Sequence, residues 1–279
     1  MADNDTKVHA IYGLHVSHSL SPVIFNKTFE KMGLNRTYVP FSVRPAELGQ
    51  AVEAARVLGF DGFNVTMPHK TSVVPFLDRL EGPAEKIGSV NTVAKTSRGL
   101  VGHNTDGEGA LRALKAYGFD PKNRAVLVLG AGGTSRALVH SLSQEGADIV
   151  ILNRTPEKAR AVAEIAQARS NISIGKLTRS EIERSLANSE LIINTTPVQT
   201  ASLLESLGLP ILALPNNVWL FDLAYDKPPE HLNVPVHRIS PLEMLVQQAA
   251  IAYAIWLGEP APLELMQSIL ADHNGGDWK

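Results

Sequence analysis

Residues 125–146, AVLVLGAGGTSRALVHSLSQEG, pass from an unbroken apolar run through three glycines in four positions to a stretch of helical period. An apolar run without polar alternation is what a strand buried on both faces carries, and such strands belong to parallel sheets covered by helices. Gly130 permits a sharp turn, and Gly132, lacking Cβ, lets backbone N–H groups approach a pyrophosphate seated on the N-terminus of the following helix. Gly130, Ala131, Gly132 and Gly133 are therefore a candidate dinucleotide loop, although the third fingerprint position is Ser135 rather than Gly or Ala. Downstream the rhythm continues as ADIVILN, TPEKARAVAEIAQAR, ELIINTT and NNVWLFDLA, so this part of the chain reads as a doubly wound, Rossmann-type α/β domain.

The end of the second strand selects the dinucleotide. About 20 residues after the loop an NAD site places an acidic residue on the ribose hydroxyl. Here the strand ends Asn153-Arg154-Thr155, with Lys158 close behind. A carboxylate would repel a 2′-phosphate, whereas the planar fork of Arg154 chelates one and Lys158 adds point charge. The expected cofactor is NADP.

Upstream, VHAIYGL, TYVPFSV and FDGFNVT read as strands, separated by helices over SPVIFNKTFEKMG and PAELGQAVEAARVLG, each with Pro at the first helical position and Gly at its end. Strands joined by helical crossovers make a parallel sheet. VNTVAKTSRGLVGH reads as a hairpin turning at Gly99. The C-terminal helices over PLEMLVQQAAIAYAIWLG and PLELMQSILAD have wide apolar faces, which are expected to return to the N-terminal part; HNGGDWK reads as a frayed tail.

Polar residues gather where loops leave these strands. Ser19 and Ser21 lie two apart before a helix, where Ser21 has the ordinary alternative of an N-cap. Asn64 and Thr66 share one side of a strand by period two, with Lys70 just past Pro68. Asn91 and Thr92 begin the next strand, and Asn104-Thr105-Asp106-Gly107 opens a helix it can cap. His15 and His18 lie in a loop without further ligands, so no metal site is expected.

At 279 residues the chain has room for two cores. Its 26 Lys and Arg against 28 Asp and Glu leave no basic footprint for nucleic acid or an anionic membrane. The absence of Cys excludes thiolate chemistry and disulfides. The N-terminal residues lack a basic n-region, and the apolar run Ala249–Leu257 is far short of the ~20 residues a membrane span needs. A soluble cytoplasmic enzyme or binding protein remains, as monomer or homodimer.

The motifs Ser-Leu-Ser-Pro at 19–22, Asn-Val-Thr-x-Pro-x-Lys at 64–70, Val-Asn-Thr at 90–92, Asn-Thr-Asp-Gly at 104–107, Gly-Ala-Gly-Gly at 130–133, Asn-Arg-Thr at 153–155 and Met-Leu-Val-x-Gln-Ala at 244–249 occur in one order. In this the chain closely resembles the shikimate dehydrogenases. The resemblance implies a discontinuous substrate domain, 1–105 with 246–279, an NADP domain at 106–245, and a cleft between them that opens and closes. It implies reversible reduction of 3-dehydroshikimate to shikimate with NADPH, on the route to aromatic amino acids. Ser19 and Ser21 would bind the substrate carboxylate, Thr66, Asn91 and Gln248 the ring hydroxyls, and Tyr225 would be a further substrate-side residue. Lys70 and Asp106 match the catalytic pair, in agreement with the chemistry: a hydroxyl that loses hydride must also lose a proton to a base within ~3 Å.

One departure from the family pattern is Ser240-Pro241-Leu242-Glu243, which stands where a Gly-rich turn is usual beside the nicotinamide. It leaves open a quinate/shikimate dehydrogenase or a paralogue with another substrate. A non-catalytic NADP-sensing protein is the alternative of a different class, disfavoured by retention of Lys70 and Asp106.

Overall fold

The computed structural model describes residues 3–166, 170–224 and 234–273; Tyr225 and the tail from residue 274 lie outside the described residues. The chain divides into two compact units. One takes residues up to Gly109 and those from Leu245 onward, the other Ala110–Met244. Each is built on a six-stranded sheet.

In the first unit the elements run β1 (Lys7–Gly13), α1 (Ser21–Lys31), β2 (Arg36–Ser42), α2 (Leu48–Val57), β3 (Gly62–Val65), β4 (Arg79–Leu80), α3 (Pro83–Ile87), β5 (Thr92–Thr96) and β6 (Gly99–His103). The sheet order is β2-β1-β3-β5-β6-β4. β1 is parallel to β2 and β3, whereas β5 is antiparallel to both β3 and β6. The β5–β6 hairpin turns at Gly99, whose φ of 93° suits a residue without Cβ. The chain leaves β1 to one side for β2 and returns on the other for β3. Order thus reverses between β1 and β3, and ligands of open α/β sheets sit beyond the carboxyl ends of strands at such a point. The loops leaving those two ends carry Ser19, Ser21 and Thr66–Lys70.

Ala10, Tyr12, Phe63, Val65 and Val93 form the core on one face. On the other, Phe25 stacks on Tyr38 at 4.7 Å between ring centroids, and Trp256 packs against His9 at 4.6 Å. Trp256 belongs to α9 (Pro241–Leu257), which precedes α10 (Leu263–His273). Its indole N–H donates to the Val93 carbonyl at 2.9 Å, and a Cβ on Gly62 would lie 2.4 Å from that nitrogen. Glycine at 62 is what allows α9 to lie so close to the sheet.

The second unit runs α4 (Asp106–Ala116), shared with the first, then β7 (Ala125–Leu129), α5 (Gly133–Gln144), β8 (Asp148–Asn153), α6 (Pro156–Ala163), β9 (Ile172–Lys176), α7 (Arg179–Leu186), β10 (Leu191–Asn194), α8 (Thr200–Ser206), β11 (Trp219–Asp222) and β12 (His237–Ile239). The order β12-β11-β10-β7-β8-β9 is parallel throughout and reverses between β7 and β10. Val126, Val128, Ile149, Ile151 and Ile193 pack beneath α4 and α5 on one face; Leu127, Leu129, Ile192 and Leu204 fill the other. Among the described residues no helix is long and apolar enough to cross a membrane.

Two details differ from expectation. Ser21 is the first helical residue of α1 and not its cap: Leu20 occupies that position, and Ser19 Oγ accepts the Ser21 N–H at 3.3 Å. Helix α6 ends at Ala163, short of the stretch expected to residue 169.

Candidate active site

Lys70 and Asp106, 36 positions apart, meet in the first unit, where Lys70 Nζ donates to Asp106 Oδ2 at 2.5 Å. Their side chains are 15% and 5% exposed, so the pair is largely withdrawn from water. Lys70 arrives on a loop held at both ends. The His69 N–H donates to Thr66 O at 2.9 Å, Lys70 O accepts the Val90 N–H at 2.7 Å, and His69 Nε2 donates to Val43 O at 2.8 Å. Asp106 opens α4, where the positive end of the helix dipole favours its charge. Its N–H is capped by Asn104 Oδ1 at 3.0 Å, and Asn104 Nδ2 is anchored on Ser89 O at 2.9 Å.

Asn91 is the hub. Its Nδ2 donates to Asp106 Oδ1 at 2.9 Å and Thr105 Oγ1 at 2.8 Å and lies 3.3 Å from Gln248 Oε1. Its Oδ1 accepts the Thr105 N–H at 2.8 Å and the Thr92 hydroxyl at 3.1 Å. Gln248 reaches this cluster because Gly109 on α4 has no side chain; a Cβ there would stand 2.8 Å from Gln248 Cβ. Thr66 lies at the end of β3, its methyl 2.4 Å from where a Cβ on Gly13 would be, and its N–H donates to Tyr12 O at 2.8 Å. Ser19 and Ser21 neighbour each other at the start of α1. Lys70, Asn91, Asp106 and Gln248 are thus brought together by direct contact. Thr66, Ser19 and Ser21 stand at the same strand-end region without hydrogen bonds to them among the described contacts, and Tyr225 lies outside the described residues.

In the second unit, Gly130 has φ of 104° and its added Cβ would meet Thr195 Oγ1 at 2.5 Å. Nothing lies within 4 Å of a Cβ on Gly132, which is exposed. The loop is thus tight on the inside and open on the outside, as a phosphate cradle requires. Ser135 stabilises it. The Gly132 N–H donates to Ser135 Oγ at 3.1 Å, Ser135 Oγ is 2.6 Å from Thr195 Oγ1, and Thr195 Oγ1 donates to Leu129 O at 2.8 Å. Because the Thr195 proton is spent on Leu129, the Ser135 hydroxyl must donate to Thr195, and the three bonds run in one direction.

Leu129 is paired with Leu152, and the Gly130 N–H donates to Leu152 O at 2.9 Å. Asn153, Arg154 and Thr155 therefore leave the neighbouring strand at the level of the loop. Asn153 Nδ2 donates to Thr155 O at 2.9 Å and closes that turn. Arg154 and Lys158 are exposed and form no ion pair among the described residues. Loop and cations suit the pyrophosphate and 2′-phosphate of NADP. Ser240 precedes α9, which starts at Pro241.

Tyr38 and Thr195 escaped the sequence reading. Tyr38 looks like one more core aromatic, and Thr195 like the end of a strand; their hydroxyl contacts join residues 26 and 60 positions apart. Half-buried Arg136, in the first turn of α5, was also not singled out; desolvation lowers its pKa from the usual guanidinium value.

Three family models match the chain: the shikimate dehydrogenase substrate binding domain over residues 11–93, shikimate/quinate 5-dehydrogenase over 112–229, and the shikimate 5′-dehydrogenase C-terminal domain over 242–270. A shikimate dehydrogenase (NADP(+)) of Methanopyrus kandleri is 40% identical, covering 97% of both chains. The structure of shikimate 5-dehydrogenase from Thermus thermophilus in complex with NADP(H) and shikimate is similar with a TM-score of 0.81 and 30% identity, over 96% of this chain and 99% of that one. Its counterpart from Listeria monocytogenes, in complex with shikimate and NAD, gives 0.85 and 29% over 96% and 98%. With these matches spanning both units, the chain belongs to the shikimate dehydrogenase family.

Proposed function

We propose that this protein catalyses the reversible NADPH-dependent reduction of 3-dehydroshikimate to shikimate, a step toward aromatic amino acids. The observation that carries this reading is the Lys70–Asp106 pair at 2.5 Å, joined to Asn91 and Gln248 within the unit that matches the substrate binding domain. Ser19 and Ser21 hold the substrate carboxylate; Thr66, Asn91 and Gln248 hold its ring hydroxyls, and Tyr225 is a further substrate-side residue. The Gly130–Gly133 loop at the N-terminus of α5 holds the pyrophosphate, Arg154 and Lys158 the 2′-phosphate, and Asn153 and Thr155 shape the turn that presents them.

NADP, when bound, supplies the hydride acceptor for shikimate oxidation. The proton is the work of this chain. In the oxidation direction Lys70, as neutral amine, takes the proton of the C3 hydroxyl; in the reduction direction its ammonium stabilises the developing alkoxide and returns that proton. Asp106 orients both the hydroxyl and Lys70. Because Asn91 already holds Asp106 Oδ1, the carboxylate does not have to reorganise when the substrate arrives.

Purified protein supplied with NADP and either shikimate or quinate tests this reading. A kcat/KM for shikimate well above that for quinate is expected; turnover of quinate alone would replace the proposed substrate, and turnover of neither would refute the reading.

A further inference from the structure

Behind Asp106 runs a chain of buried hydrogen bonds that starts two strands away from Asn64. Tyr38 Oη donates to Asn64 Oδ1 at 2.7 Å. This fixes the Asn64 amide, so that its Nδ2 points the other way and donates to Asn91 O and Thr92 Oγ1, each at 3.0 Å. Thr92 Oγ1, having accepted there, spends its own proton on Asn91 Oδ1 at 3.1 Å. Together with the Thr105 N–H at 2.8 Å, this commits Asn91 Oδ1 as acceptor, which turns Asn91 Nδ2 toward Asp106 Oδ1. Each link follows from the donor inventory of the one before it: a phenol with one proton, an amide with two, a hydroxyl with one. Tyr38, Asn64, Thr92 and Asn91 are all under a tenth exposed, so water cannot readily substitute for a lost link. Phe25 stacked on Tyr38 at 4.7 Å holds the phenol in place.

We propose that Tyr38, Asn64 and Thr92 are positioning residues: acting through Asn91, they hold the Asp106 carboxylate in the orientation needed for proton exchange with substrate. The inference rests on the dehydrogenase reading above. A merely structural role would be to stabilise the sheet, with kcat per folded molecule untouched. A relay predicts that losing any one link leaves the Asn91 amide held through Thr105 alone, which loosens its alignment and that of Asp106.

The test uses Tyr38→Phe, Thr92→Val and the double variant in the full chain, with NADP-linked oxidation of shikimate as readout and circular dichroism to report folding. Each single change is expected to lower kcat roughly 10-fold or more, the range that small misplacements of catalytic groups produce, with the KM for NADP unchanged. The double variant should be no worse than the worse single, because both cut the same chain and coupled residues are not additive. Thr92→Ser, which keeps the hydroxyl, should restore kcat. Tyr38→Phe decides alone should Thr92→Val fail to fold. An active wild type with unchanged kcat in folded Tyr38→Phe, or with multiplicative losses in the double variant, overturns the relay alone. A wild type inactive on shikimate overturns the functional reading and the relay with it.

Discussion

Around Asp106 the polar side chains hold one another: Asn91, Thr92, Thr105 and Asp106 are buried and joined by hydrogen bonds of 2.8–3.1 Å. Around the Gly130–Gly133 loop the outward-facing groups are backbone, and Arg154 and Lys158 stand exposed and without ion-pair partners among the described residues. The contrast matches two tasks. A proton-transfer group must be aligned before substrate arrives, so its charge is paired and locked in advance. A phosphate brings charge of its own, so its site gains by leaving cations to be neutralised on binding. The buried cluster should therefore fail in kcat and the exposed one in KM.

Lys70→Ala should show the largest effect, a fall in kcat on the order of 100-fold or more, the usual worth of a positioned acid or base, with the KM for NADP nearly unchanged. Steady-state kinetics with shikimate and NADP checks this, and an equal loss in KM for NADP would erase the distinction between the clusters.

Burial in the first unit also sets a pH dependence. His9 lies fully buried beside Phe29 and Trp256, and its pKa is pushed down to about 4, first by desolvation and then by Arg36, with Asp61 opposing. Its Nε2, 3.4 Å from Arg36 Nη1, is an acceptor, as a neutral ring requires. The unfolded chain binds a proton below its ordinary pKa of 6.5 while the folded chain stays neutral until about 4, so stability is lost as pH falls through that window, by up to about 3 kcal/mol. Urea denaturation across these pH values should show the slope, and His9→Phe should flatten it.

Arg154→Ala should raise the KM for NADP roughly 10-fold, the worth of one charge-assisted hydrogen bond, and leave kcat and the KM for NAD almost unchanged. Parallel titrations with both dinucleotides decide it. The smallest effect is expected from Ser135→Ala, which removes the tie between Gly132 and Thr195: a few-fold rise in KM for NADP at constant kcat, since one neutral hydrogen bond contributes about 1 kcal/mol. A larger effect on kcat than on KM would mean that the loop, too, serves alignment.

The same contrast explains what could be read from sequence. The glycine loop between an apolar strand and a helix is a local pattern, and Arg154 follows it by one strand, so the glycine turn and the exposed cation beside it are legible from spacing as a candidate dinucleotide site. The cluster around Asp106 is assembled by topology. Asn91 and Gln248 lie 157 positions apart and Lys70 and Asp106 36, separations that carry no periodic signal; the family resemblance, not spacing, paired them. Ser135 was legible as a departure, but its use depends on Thr195, 60 positions on. Strands β4, β9 and β12 escaped notice because two are only two or three residues long and β9 is half-exposed, leaving no continuous apolar run to read. The missed helices α3, α7 and α8 span only 5 to 8 residues, too few to display a helical period.

In the proposed reaction shikimate oxidation is coupled to NADP, whose 2′-phosphate is read by a cationic site. The most direct measurement follows the absorbance of reduced nicotinamide on adding the purified protein to shikimate with NADP and, in parallel, with NAD. We expect 3-dehydroshikimate in equal amount to NADPH, with kcat/KM for NADP at least about 10-fold above that for NAD, given what one phosphate-directed guanidinium contributes. Equal efficiency with the two dinucleotides, or no reduction of either with shikimate, would contradict that reading.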